Sequence, residues 1–142
     1  MRNQLIFMPI FGQVALTLVV WLWLYVTRLS HMHQKKIDPE VLRDEAGYAA
    51  LKDVANPSDN FENLFEMPVL FFALGAFVIL SGKSDATFGF GMWTFVWLRA
   101  IHSIIHCTYN RITHRFTAFF LSSLILWGLW IRLFWQVAVS QG

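Results

Sequence analysis

The chain has 142 residues; 56% are hydrophobic, 17% aromatic and only 14% charged, with a net charge of +2 and a mean hydropathy of +0.49. Soluble domains carry about 25% charged residues, so this composition excludes an ordinary soluble fold and indicates a chain solvated by lipid. The small net charge, with no long basic run, excludes a nucleic-acid partner, and the single cysteine, Cys107, excludes an internal disulfide and any multi-cysteine metal site.

The first apolar segment runs from Leu5 to Val26. It is too long for the apolar core of a signal peptide and lacks a small-residue cleavage site. At 1.5 Å per residue it crosses a ~30 Å hydrocarbon core. Pro9 and Gly12 predict a slight bend or the close approach of a neighbour. Gln13 predicts an interhelical hydrogen bond, and Trp21, Trp23 and Tyr25 an interfacial belt. Arg28 to Asp59 reads as one long polar connection. Within it Asp38-Pro39-Glu40 is a helix start, with Asp38 as N-cap. Val41, Leu42, Ala46, Ala49 and Ala50 then give a short, weakly amphipathic helix on the membrane surface. Asn56-Pro57-Ser58-Asp59 reads as a turn whose Ser58 or Asp59 caps the second span.

The second span runs from Asn60 to Leu80, with Pro68 predicted to kink it and free a carbonyl one turn earlier. A short link, Ser81 to Ala86, makes spans two and three an antiparallel hairpin. The third span covers Thr87 to Cys107, and a short basic link, Thr108 to His114, leads to a fourth that ends near Val137. The fold class is therefore all-α, a four-helix membrane bundle occupying residues 1–142 as one domain. By the positive-inside rule, Arg28, Lys35, Lys36, Arg43, Lys52, Arg111 and Arg115 put the first and third connections in the cytosol. Both termini are then expected on the other side.

Two polar clusters interrupt the apolar spans. Glu62, Asn63 and Glu66 open the second span. A carboxylate deep in a bilayer costs roughly 3 kcal/mol or more, so these groups are expected to face protein or a water-filled pocket. In the third span Arg99, His102, His106, Tyr109 and Asn110 fall within roughly one 100° sector of a helix. An unpaired deep arginine is costly, so an ion pair of Arg99 with Glu66 or Glu62 is expected. His102 and His106 have the i, i+4 spacing of a metal helix. The carboxylates lie on a different span and no other motif supports an ion, so no metal is assigned. Thr117, Ser122 and Ser123 are expected to bond back to their own helix, and Arg132 to snorkel to the far interface.

Taken together, Asn63-x-x-Glu66-x-Pro68, Arg99-x-x-His102-x-x-x-His106 and Tyr109-Asn110-Arg111 on four spans resemble the MAPEG family, membrane-associated proteins in eicosanoid and glutathione metabolism. The resemblance implies a homotrimer in a membrane, here the inner (plasma) membrane of a bacterium. Lipophilic small molecules and glutathione, as co-substrate, would be held between subunits. It implies a transferase or peroxidase acting on lipophilic electrophiles; a non-catalytic lipid-binding scaffold of the same fold is the alternative. By this resemblance Asn60, Glu62, Asn63, Glu66, Arg99, His102, His106, Tyr109 and Arg28 bind substrate, and Arg111 or Arg115 activates the thiol. The family's glutathione enzymes carry an arginine four residues before the asparagine. This chain has Asp59 there, which repels a ligand carboxylate rather than pairing with it.

Overall fold

Lipid offers the backbone no hydrogen-bond partner, so long apolar stretches close their bonds internally as helices. The computed structural model describes residues 3–43 and 45–139. It contains six α-helices: α1 (Gln4–Lys35), α2 (Glu45–Ala50), α3 (Asn56–Asn63), α4 (Met67–Leu80), α5 (Ala86–Cys107) and α6 (Ile112–Val139). Short 3-10 turns flank α2 at Pro39–Arg43 and Lys52–Val54. Four stretches are long and apolar enough to cross a membrane, and α3 and α4 together make the second of them. The chain is thus an all-α, four-span membrane protein, and no strand occurs among the described residues.

Helix α1 runs nine residues beyond the predicted span. Nothing from Thr27 to Lys35 breaks a helix, and its 32 residues reach about 48 Å, well past a ~30 Å core. It stops where Lys36 turns left-handed (φ 52°) and Ile37 N–H bonds back to the Met32 carbonyl at 3.0 Å. The overhang is anchored: His31 Nε2 donates to the Ala50 carbonyl at 3.0 Å, so this histidine is not merely solvated. Asp38 does cap, accepting from Glu40 N–H at 3.0 Å. Beyond it the chain forms a five-residue 3-10 turn and then a separate α2, not one surface helix.

The second span begins earlier than expected. Asn56 to Asp59 is already helical, with Pro57 in the first turn where its missing N–H costs nothing. Neither Ser58 nor Asp59 caps it. At Pro68 the span is not merely kinked but broken, with Leu64, Phe65 and Glu66 forming a turn between α3 and α4.

The core lies among α1, α4, α5 and α6. Phe71 stacks on Phe95 at 4.8 Å, with Ile6, Met92, Leu74 and Leu126 around them. Gly12 allows α1 to close onto α5, since a Cβ there would come within 2.9 Å of the Trp93 ring. Trp127 and Trp135 point outward, whereas Trp130 is packed, donating to the Leu70 carbonyl at 3.3 Å. Thr117, Ser122 and Ser123 bond back to their own helix, as expected.

Away from the polar connections, the link before α5 forms a lock. Asp85 caps α5 by accepting from Phe88 N–H at 2.9 Å, and its two oxygens take Arg132 Nη1 and Nη2 at 3.3 and 2.7 Å. The Arg132 guanidinium also lies over the Phe88 ring at 4.6 Å. Arg132 therefore does not simply snorkel; it ties the end of the fourth span to the start of the third. Burial opposes the Asp85 carboxylate. Arg132 and the backbone N–H groups of Phe88 and Thr87 outweigh it and hold the pKa below its ordinary 3.8.

A depressed folded pKa gives stability that is present above the unfolded value and lost as pH falls through the folded one. Asp85→Ala should cost about 1–2 kcal/mol at neutral pH. Asp85→Asn, which keeps the cap acceptor, should cost under about 1 kcal/mol. Thermal unfolding followed by circular dichroism should show wild type converging on both variants only below pH 3.8.

Candidate functional site

The break in the second span sets the geometry of the polar groups. On α3 the buried positions are Pro57 and Asn60, followed by Leu64 in the turn. This stripe faces α1 and α5. At 100° per residue, Glu62 and Glu66 lie roughly 200–240° from Asn60, and both are exposed. The expected ion pair between Arg99 and either glutamate is therefore not formed. Arg99 Nη2 instead donates to the backbone carbonyl of Asn63 at 2.7 Å. That carbonyl ends α3 and is not bonded by the amide four residues on, because the helix stops there. Its guanidinium also stands 5.5 Å from the centre of the Phe119 ring.

Asn60 is fully buried. Its Nδ2 donates to Cys107 Sγ at 3.5 Å and its Oδ1 accepts from Ser103 Oγ at 3.3 Å, joining α3 to α5. Asn63 Nδ2 is taken up by the Asp59 carbonyl on its own helix at 2.8 Å. A second network gathers where α5 gives way to α6. Arg115 Nη1 donates to His106 Nε2 at 2.8 Å and to Asn110 Oδ1 at 2.9 Å, while Asn110 Nδ2 donates to Asn56 Oδ1 at 2.8 Å. His102 Nδ1 donates to the Arg115 carbonyl at 3.1 Å. Asn110 holds a left-handed conformation (φ 45°), which lets one side chain face both α3 and α6.

These bonds fix the histidine tautomers by donor and acceptor logic. A carbonyl only accepts, so His102 carries its proton on Nδ1. A guanidinium only donates, so His106 Nε2 accepts and its proton is on Nδ1. Both rings are tied by Arg115, and no group of three or more His, Cys, Asp or Glu side chains converges for a metal among the described residues.

The predicted site residues thus divide. Asn60, Arg99, His102, His106 and Arg115 point inward and bond to one another's helices. Glu62 and Glu66 point outward at the same end, as does Arg111, an exposed cation with no ion pair among the described residues. Asn63 is half-buried between the two groups, and Arg28 is part-buried on α1. Tyr109 is exposed and bonds His114 Nδ1 through its hydroxyl at 3.2 Å. Sequence reading missed Asn56, treated as a turn residue, and Ser103. Each is a single polar residue in a helical stretch, and only the crossing of α3 and α5 gives it a partner.

Among known protein families, the model of the MAPEG family matches residues 6–135. No curated protein and no solved structure matches the chain.

Asn110→Ala should lower stability by about 2 kcal/mol, since it strips a hydrogen bond from the Arg115 cation and another from Asn56. Asn110→Gly loses the same bonds but meets no Cβ penalty at positive φ, so it should be about 1 kcal/mol less damaging. Thermal unfolding of both variants in detergent checks the order.

Proposed function

The chain belongs to the MAPEG family, membrane proteins of glutathione and eicosanoid metabolism, and from that premise we propose that it joins a thiol, glutathione or a close relative, to lipophilic electrophiles or uses it to reduce lipid peroxides. The observation that carries this reading is the outward-facing set at one end of the bundle: Glu62, Glu66 and Arg111, with Asn63 at its edge. Exposed carboxylates at the start of a membrane span need a covering partner. Two carboxylates and a guanidinium suit the ammonium and carboxylate ends of a peptide-like thiol. Homotrimeric assembly would cover this face with a neighbouring subunit, whose α1 would bring Arg28. The excess of Lys and Arg at this end places it on the cytosolic side of a bacterial inner membrane, with both termini opposite.

The chemistry asked of the site is modest. A thiol becomes a good nucleophile when it ionises, and a fixed guanidinium favours the thiolate. Arg111 is free to serve directly. Arg115 has Nη1 committed to His106 and Asn110, so it is held in place for the same task. In transfer, the thiolate sulfur bonds the electrophilic carbon; the thiol proton leaves to water, or returns to the product when the reaction is an addition. The acceptor reaches the site through the bilayer. Asp59 replaces the arginine of the family's glutathione enzymes, so one ligand carboxylate loses its usual partner. This supports a related thiol as much as glutathione itself.

A second reading, a non-catalytic lipid-binding scaffold, draws on a groove of about 920 Å³ between α1 and α5, lined by Leu5, Met8, Phe11, Phe90 and Trp93. It is apolar along its length and suits an acyl chain.

Calorimetry of the detergent-solubilised protein with glutathione separates the two readings. Specific binding weakened roughly tenfold or more by both Glu66→Gln and Arg111→Ala, about 1.4 kcal/mol or more each, supports the thiol reading. Absence of binding in the folded wild type, with no turnover of hydrophobic electrophiles, overturns it in favour of the scaffold.

A further inference from the structure

Arg99 is the largest fully buried side chain among the described residues, with 0% exposure. It makes one hydrogen bond, to an uncharged carbonyl. Its Nε and Nη1 have no partner in the protein, and no described carboxylate lies within 4.0 Å of it. A full charge so enclosed is strongly unfavourable unless something compensates it.

The groups around it show what that is. Gln13 is also 0% exposed, and both ends of its amide lack a partner, against the expectation of an interhelical hydrogen bond. It adjoins Gly12, which packs against Trp93 and Val96, so it stands within about one helical turn of Arg99. One turn along α5 from Arg99, His102 keeps an unpartnered Nε2; a further turn on, His106 keeps an unpartnered Nδ1. Given the tautomers of the two histidines, the unpartnered donors are Arg99 Nε, Arg99 Nη1, Gln13 Nε2 and His106 Nδ1. The unpartnered acceptors are only Gln13 Oε1 and His102 Nε2. Water offers donors and acceptors equally and brings no charge. A surplus of donors around a lone cation calls for an anion.

We propose that Arg99 and Gln13 form an internal binding site for a small monovalent anion, a halide or a single carboxylate group, enclosed among α1, α3, α5 and α6. Arg99 supplies the charge and two N–H directions, and Gln13 a third donor. His102 and His106, spaced a turn apart, line the way from the site towards the polar end, with water bridging their free nitrogens. The occupant is small because all four side chains are 97% or more buried. By neutralising Arg99 the anion stabilises the guanidinium that terminates α3, and so the break itself. This site is separate from the outward-facing thiol site and stands whether or not the protein handles a thiol.

Thermal unfolding of the full-length protein in detergent tests this at fixed pH and ionic strength. Chloride, bromide or formate replaces gluconate stepwise. A ligand bound only by the folded state raises Tm progressively with its concentration. The expected result is such a rise with chloride and bromide, lost in Arg99→Gln. A rise with formate alone would identify the occupant as the carboxylate of a larger ligand and still support the site. Should Arg99→Gln fail to fold, Gln13→Leu keeps the test open, since it should weaken the anion dependence at least severalfold. A wild-type Tm that is the same in every anion overturns the proposal. So does a Glu66→Gln variant as unstable as Arg99→Gln in gluconate, which would make Glu66 the counter-charge.

Discussion

Everything at the polar end of this protein depends on one hydrogen bond across a broken helix. Pro68 has no N–H to offer Leu64, and the second span stops at Asn63 and restarts at Met67. In lipid a freed carbonyl is costly unless something satisfies it. Arg99 does so from α5, reaching the Asn63 carbonyl at 2.7 Å. The same contact places a buried cation at the junction of α3, α5 and α6 and turns the phase of the span so that the glutamates leave the interior. A continuous helix would have changed the surroundings of Glu62, Glu66 and Arg99 together.

The two ends of the bundle are fastened by different chemistry. Away from the polar connections, one charged pair with a helix cap and an aromatic face suffices: Asp85, Arg132 and Phe88. At the polar end the fastening is an extended network, Asn56 to Asn110 to Arg115 to His106, with His102 on the Arg115 carbonyl. Asparagine and histidine satisfy several neighbours at once without adding charge, which suits helix ends that meet near a bilayer surface. Apolar packing of α1, α4, α5 and α6 fills the space between.

This arrangement separates two kinds of polar residue that look alike in the sequence. Asn60, Arg99, His102, His106 and Arg115 hold helices together. Glu62, Glu66 and Arg111 face outward, where a ligand or a second subunit can meet them. The resemblance groups all of them as one site, whereas the geometry gives them separate tasks, and Arg115 joins the two by being held from inside while remaining part-exposed.

The sequence by itself determined the membrane class, the four spans, the family and the ends of the third helix. These follow from hydropathy, length and local motifs, which act over a few residues. It also marked Pro68 as the disturbed point and Arg99 as the costly charge. It did not reveal how far α1 runs, because a helix outside lipid is limited by breakers and anchors such as the His31 bond to Ala50. The partners of Arg99, Arg132, Asn56 and Ser103 were equally hidden. Which side chains meet across helices depends on crossing points and on helix phase, and a break of three residues resets that phase for everything beyond it. Only the tertiary structure decided that Arg99 ends α3 while the glutamates face away.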